Sequence, residues 1–173
     1  MKLPTLQEID DIRQKGMRPQ VVGCFVHNKK VLLMYMEKYN LWQFPQGGID
    51  NKEDAITGVK REMAEELGDV FVKKQDGDIT CIGVDTLVFP EHKQGSRELV
   101  TDAGEEVFMV GKTYFFMILP TTTEEIAIKD TEFDEYIWLP YDQAKRLAEN
   151  IYQTGKRRMT CNILDRLRDL EMI

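Results

Sequence analysis

The stretch Gly47-Gly48-Ile49-Asp50-Asn51-Lys52-Glu53-Asp54-Ala55-Ile56-Thr57-Gly58-Val59-Lys60-Arg61-Glu62-Met63-Ala64-Glu65-Glu66-Leu67-Gly68 decides how this chain is read. Its apolar residues Ile56, Val59, Met63 and Leu67 recur at steps of three and four, the spacing of one helix face. Gly68 closes the pattern, as glycine commonly does just past a helix C-terminus. The spacing predicts a helix over 53–67. At roughly 100° per residue, Glu62, Glu65 and Glu66 share one arc of about a third of the circumference, beside the apolar stripe. One side of the helix can enter a core while three carboxylates point across the adjoining surface.

Carboxylates at i,i+4 repel and weaken a helix by a few tenths of a kcal/mol, so a cation is the natural complement of this cluster. All-oxygen ligands suit Mg²⁺, Mn²⁺ or Ca²⁺ rather than Zn²⁺ or Cu. Mg²⁺ held by a few carboxylates completes its shell with water and substrate phosphates, where it polarises a phosphoryl oxygen and activates water. A bare E-x-x-E-E is more often a solvated helix face, and the wider spacing overrides that reading. Gly47, Glu53, Arg61, Glu62, Glu65, Glu66 and Gly68 satisfy G-x5-E-x7-R-E-U-x-E-E-x-G, with Met63 at the apolar position U. With each residue type used at about 7%, seven matches arise by chance on the order of 10⁻⁸ per window.

This pattern resembles the signature of the Nudix hydrolases. The resemblance implies an α/β fold, an α/β/α sandwich around a central mixed sheet with the motif as loop-helix-loop. It implies that Glu62, Glu65 and Glu66 bind a divalent metal, Mg²⁺ with Mn²⁺ as substitute, and that Gly47 shapes the loop. Arg61 and Glu53 would support the helix through a salt bridge. One position departs from the family: its usually apolar last place is Asp69 here, with Val70 next. Trp42-Gln43-Phe44-Pro45-Gln46-Gly47-Gly48-Ile49 resembles the entry to the motif in RNA 5′-pyrophosphohydrolases and asymmetric dinucleoside tetraphosphate hydrolases, and so do Arg18-Pro19, Glu132-Phe133-Asp134 and Trp138. By that likeness Glu132 joins the metal site from outside the motif, and Arg18, Lys112, Tyr114 and Gln46 are the expected substrate contacts.

The expected chemistry is metal-assisted attack of water on phosphorus. Glu62 is assigned to the water, with Glu65 and Glu66 beside it, and the acids Glu98, Glu105 and Glu106 of a polar loop over 90–106 are alternative sources of the base. The expected substrate is a nucleotide, either a dinucleoside polyphosphate or the 5′-triphosphate end of RNA. Competing expectations are a dNTP or ADP-ribose-type pyrophosphatase and a noncatalytic nucleotide sensor. The sensor would be expected to lose motif glutamates, which this chain keeps.

Outward from the motif, Val21–Val26 and Val31–Met36 flank the polar turn Asn28-Lys29-Lys30 and read as a hairpin. Leu41–Asp50, with Pro45 and two glycines, reads as a loop. Strands are expected at 79–89, 107–119, 124–128 and 135–139, and helices at 6–14, 141–152 and 157–170. The segment 90–106 is expected to be a mobile loop. Lys156-Arg157-Arg158 reads as a solvated helix end, with attraction of phosphate as the alternative, and His27 and His92 have no partner at any metal or triad spacing. Ile163, Leu164, Leu167 and Leu170 either pack on the domain or form a dimer contact, so homo-oligomerisation stays open. A length of 173 residues fits one domain over 1–173, with 1–17 a helical extension and 151–173 a C-terminal helix.

Net charge is -7, which disfavours nonspecific binding along a nucleic-acid backbone yet permits a small basic pocket for a nucleotide or an RNA end. Three widely spaced cysteines, Cys24, Cys81 and Cys161, with no C-x-x-C, fit a reducing, cytoplasmic setting. No leader or membrane-spanning run is read, so no membrane partner is expected.

Overall fold

The apolar runs before the motif form one antiparallel hairpin in the computed structural model, which describes residues 1–173 apart from the side chain of Asp130. Strands β1 (Met17–His27) and β2 (Lys30–Met36) turn through Asn28 and Lys29, whose φ of 47° and 60° match the left-handed pair of a tight hairpin turn. The two strands pair only at Val26–Val31 and His27–Lys30 and then part. The wedge is filled by β3 (Leu41–Gln43), which pairs with β2, and β4 (Gln46–Gly48), which pairs with β1. This corrects the loop expected over 41–50: at an open split both main-chain edges need partners, and Pro45 falls between the two short ladders where no N–H is required.

On its other edge β1 runs parallel to β8 (Gly111–Pro120), and β8 pairs antiparallel with β5 (Thr80–Val88). Strand β9 (Glu135–Leu139) lies antiparallel to β2, completing a mixed seven-stranded sheet. No strand forms over 124–128. Lys30 holds the Glu124 carboxylate, the Trp138 indole N–H bonds the Glu124 carbonyl at 2.9 Å, and a 3₁₀ turn follows at Ile128–Asp130.

Because neighbouring strand residues point to opposite faces, each central strand feeds two cores. Val21 and Phe25 of β1, with Phe115, Met117 and Leu119 of β8, pack under α1 (Leu6–Gln14), α2 (Ala55–Leu67) and the short α3 (Asp69–Val72). Val22, Cys24, Tyr114, Phe116 and Ile118 pack under α4 (Tyr141–Glu149) and α5 (Thr154–Asp169). Ile163, Leu164 and Leu167 are buried in that second core while Leu170 stays exposed, so three of the four C-terminal apolar positions serve the fold itself. No helix among the described residues is long and apolar enough to cross a membrane.

The segment expected to be a mobile loop holds a 3₁₀ turn at Glu91–Lys93 and then most of a hairpin, β6 (Glu98–Val100) with β7 (Glu106–Phe108). Asp102 at its turn is the anchor. Its backbone N–H bonds the Asp10 carboxylate at 2.7 Å, and its own carboxylate accepts from Asn51 Nδ2 and Lys52 N at 3.0 Å and from Arg13 Nη1 at 3.2 Å. Polar composition suggested mobility, but these acids and amides are bonded to α1 and to the loop before α2.

Candidate functional site

The motif helix starts at Ala55, two residues later than its periodicity suggested, because Asp54 caps it: Oδ1 accepts from Ile56 N and Thr57 N, each at 2.9 Å. These bonds, the one to Thr57 N foremost, hold the Asp54 carboxyl below its usual value. A depressed folded-state value contributes stability that is present above the unfolded value and is lost as pH falls through the folded one. Asp54→Ala is expected to cost about 1 kcal/mol at neutral pH, and the difference from wild type should shrink below pH 4. Urea unfolding at both pH values checks it, and equal losses at both would remove the cap from the account.

Glu53 and Arg61, eight residues apart, do meet: Arg61 Nε and Nη2 donate to the two Glu53 oxygens at 2.9 and 2.8 Å. That ion pair first of all keeps the Glu53 carboxyl below its ordinary range. Arg61 Nη2 also donates to Gly48 O at 2.9 Å and Nη1 to Glu62 Oε1 at 2.9 Å, so one guanidinium ties the helix, its leading loop and the first carboxylate of the arc.

Strand β4 carries the centre. Gly47 faces α2, and a Cβ there would overlap the Glu62 carboxylate. Gly48 faces the opposite side, where a Cβ would stand 2.7 Å from Arg18 Nη2. The paired glycines thus let an acid and a base approach one strand from its two faces. Glu66 Oε2 accepts from Gln46 N at 2.8 Å. Burial raises the Glu66 carboxyl to about 8; the Gln46 N–H opposes the rise, and Glu62 and Glu132 add to it by repulsion. The Glu132 backbone N–H bonds Glu66 O at 3.3 Å, which brings the loop before β9 to the end of the helix. Glu65 stands outward, within 3.5 Å of Arg61 Nη1.

Among the described residues no three acid, His or Cys side chains converge as a ready ion cage. Glu62 and Glu66 are each steadied through one oxygen, and the other oxygen of each makes no hydrogen bond with the described residues. A buried acid crowded by two more, with oxygen donors only, fits a hard divalent cation once these side chains turn toward it.

The sheet face opposite α2 supplies the cations. Arg18 and Lys112 are register partners on β1 and β8, and Gln20 is paired with Tyr114 on the same face. Lys112 is brought below its ordinary value by burial and by its neighbours Arg18 and Arg97. Tyr114 lies in the core, 4% exposed, its hydroxyl raised to about 12 by burial and by Asp85. Gln46 faces this side as well, and its Oε1, like that of the buried Gln20, has no partner among the described residues.

Lys156, read from sequence as a solvated helix end with phosphate attraction as the alternative, reaches into the same place. Its ammonium bonds Gln43 Oε1 at 3.0 Å, and burial lowers it to about 7, with Lys112 adding to the effect and Glu66 opposing it. The legible signal was periodic: 156, 160, 163 and 167 form one helical stripe, and Thr160, Ile163 and Leu167 on it are buried. Starting the helix at 157 hid that register. The hairpin acids Glu98, Glu105 and Glu106 are exposed and make no side-chain hydrogen bond to the motif carboxylates.

Residues 17–161 match the family model described as the NUDIX domain. The chain is 28% identical over 164 residues to the RNA pyrophosphohydrolase of Haemophilus ducreyi, covering 88% of this chain and 79% of that protein. To the RNA pyrophosphohydrolase of Baumannia cicadellinicola it is 30% identical over 152 residues, covering 82% of this chain and 91% of that one. The fold matches the dihydroneopterin triphosphate pyrophosphohydrolase of E. coli with a TM-score of 0.59 at 17% identity, covering 86% and 97% of the two chains.

Proposed function

We propose, from the premise that this chain belongs to the Nudix family, that it hydrolyses a phosphoanhydride bond of a nucleoside 5′-polyphosphate, with the triphosphorylated 5′ end of RNA as substrate. One observation carries the reading: where β1 and β2 part, motif carboxylates on one face of β4 stand against Arg18, Lys112 and Lys156 on the other. A chain of phosphates is the ligand that suits both sets, through a metal on the first and directly on the second.

Glu62, Glu65, Glu66 and Glu132 would hold Mg²⁺ or Mn²⁺. The bound metal would supply Lewis acidity at the phosphoryl oxygen and lower the pKa of attacking water. Glu62 is assigned to orient that water and take its proton, since Arg61 at 2.9 Å fixes one oxygen and leaves the other toward the Gly47 side. The water oxygen bonds to phosphorus, the bridging P–O bond breaks, and the leaving phosphate keeps its electron pair. Arg18, Lys112 and Lys156 neutralise charge along the phosphates. Tyr114 and the amides of Gln20, Gln43 and Gln46 line the same face.

A second reading, hydrolysis of a dinucleoside polyphosphate, is favoured by the net charge of -7, which gives an RNA backbone little to hold beyond its first nucleotides. The test is turnover with Mg²⁺ of triphosphorylated RNA, diadenosine tetraphosphate, dGTP and ADP-ribose. The RNA end should become a monophosphate at the highest kcat/KM, and EDTA should abolish the reaction. ATP plus AMP from the second compound with RNA untouched would select the second reading. Preference for dGTP or ADP-ribose would replace both, and no turnover with either metal would make the protein a nucleotide sensor.

A further inference from the structure

The hairpin β6–β7 and the loop before α2 border an open cavity of about 250 Å³, walled by Arg18, Arg97, Asp50, Glu98, Asn51 and Met109 among others. Arg13 lies at its edge and is fully engaged, with Ile49 O at 3.0 Å, Asp50 O at 2.6 Å and Asp102. Arg18 and Arg97 differ: neither guanidinium has a hydrogen bond or an ion pair with any described residue. Arg18 also stands directly across from Lys112 in the β1–β8 ladder. Like charges at paired positions of a sheet are destabilising, and on a chain of net charge -7 carboxylates to relieve them are plentiful. Arg18 and Arg97 in the wall, with Lys112 beside them, are left without one, since Asp50 of the wall turns to Arg61 and Glu98 pairs with neither arginine; that marks a place where an anion is to be received.

Arg97 is the member that the fold delivers on purpose. Its carbonyl accepts from Met109 N at 2.9 Å, which places it at the first rung of the hairpin. The Asp102 contacts to Asp10, Arg13, Asn51 and Lys52 then hold that hairpin over the cavity. The polar excursion between β5 and β8 is thereby a rigid arm carrying a guanidinium.

We propose that Arg97 closes a three-cation clamp with Arg18 and Lys112 that grips a phosphate of the substrate other than the one attacked at the motif carboxylates. The clamp lies on the Gly48 face of β4 and the carboxylates on the Gly47 face, so one phosphate cannot occupy both. A substrate must carry enough phosphates in line to reach from one to the other. The inference deepens the proposed function by making Arg97 a reader of phosphate-chain length.

The test uses the full chain and three variants, Arg97→Gln, Arg97→Lys and Lys93→Gln. Lys93 is an exposed cation of the same excursion, outside the cavity wall, and controls for net charge. Arg97→Gln should raise KM for triphosphorylated RNA or diadenosine tetraphosphate by roughly tenfold or more, the worth of a lost charged hydrogen bond, with kcat changed far less. Arg97→Lys should recover part of it, and Lys93→Gln should behave as wild type. Calorimetric titration of inorganic tripolyphosphate in EDTA should show the same ranking in Kd. Because that titration needs no turnover, it tests the clamp even if every nucleotide substrate fails and the functional reading falls. Wild-type affinity for tripolyphosphate in Arg97→Gln, or an equal loss in Lys93→Gln, would overturn the clamp.

Discussion

Glu62→Gln is expected to lower kcat on the preferred polyphosphate by about 10²–10⁴-fold at saturating Mg²⁺, the range for losing a positioned general base. Glutamine keeps the shape of the side chain and an oxygen for Arg61 Nη1, which donates at 2.9 Å in the wild type. What it removes is the charge and the capacity to take a proton. The fold should stand, because the buried stripe of α2 is Val59, Met63 and Leu67 and none of these is touched. Steady-state kinetics across a Mg²⁺ titration separates two roles of the carboxylate. A loss restored by more metal would make Glu62 a ligand alone, whereas a loss that persists at saturation fits the assignment to the water. Turnover within a few-fold of wild type would move the base elsewhere, first to the hairpin acids.

Arg13→Met should produce the largest loss of stability. The Arg13 side chain is 4% exposed, and it serves the Ile49 and Asp50 carbonyls and the Asp102 carboxylate together. Methionine fills similar space and satisfies none of them. Removing one partner of a buried charged pair costs about 3 kcal/mol or more, which for a chain of this size lowers Tm by roughly 6–12 °C. The effect should also be local. Amides of the hairpin around Thr101 and Asp102 should lose protection from hydrogen exchange at conditions where those of β8 keep theirs. A Tm within 2 °C of wild type and unchanged hairpin protection would show that the polar network contributes little, and the hairpin would then need another anchor.

The parts of the fold with one strong period were legible from sequence. Leu6–Gln14, the β1–β2 turn and the motif helix emerge within a residue or two of their spacing. The failures share a cause: they are segments whose partners are remote. β3 and β4 are three residues each and exist only because β1 and β2 diverge. The β6–β7 hairpin looked solvated because its residues are polar, yet Asp102 is bonded to residues 50 and 92 positions away. Conversely, 124–128 had a strand-like composition, but Glu124 is held through its side chain and carbonyl.

The site divides the same way. The carboxylate arc follows from local helical geometry, whereas the Glu53–Arg61 pair followed only from the family resemblance: Glu53 lies before the helix that starts at Ala55, and residues eight apart are not neighbours on a helix face. Gln20, Arg97 and Lys156 lie on three segments far apart in sequence, and only folding gathers them around the residues of the motif and β8.

The two bare glycines at the centre of β4 have a consequence for how such a protein can change. With Glu62 on one side of the strand and Arg18 on the other, the strand would act, under the proposed function, as a partition between bond cleavage and guest selection. Under the proposed function, substitutions among Arg18, Arg97 and Lys112 should alter which guest is admitted without entering the space that Glu62 occupies. A lineage built on this plan can exchange clientele while its cutting machinery stands still. An engineer seeking a new specificity should accordingly randomise the cationic side and leave the acidic side untouched.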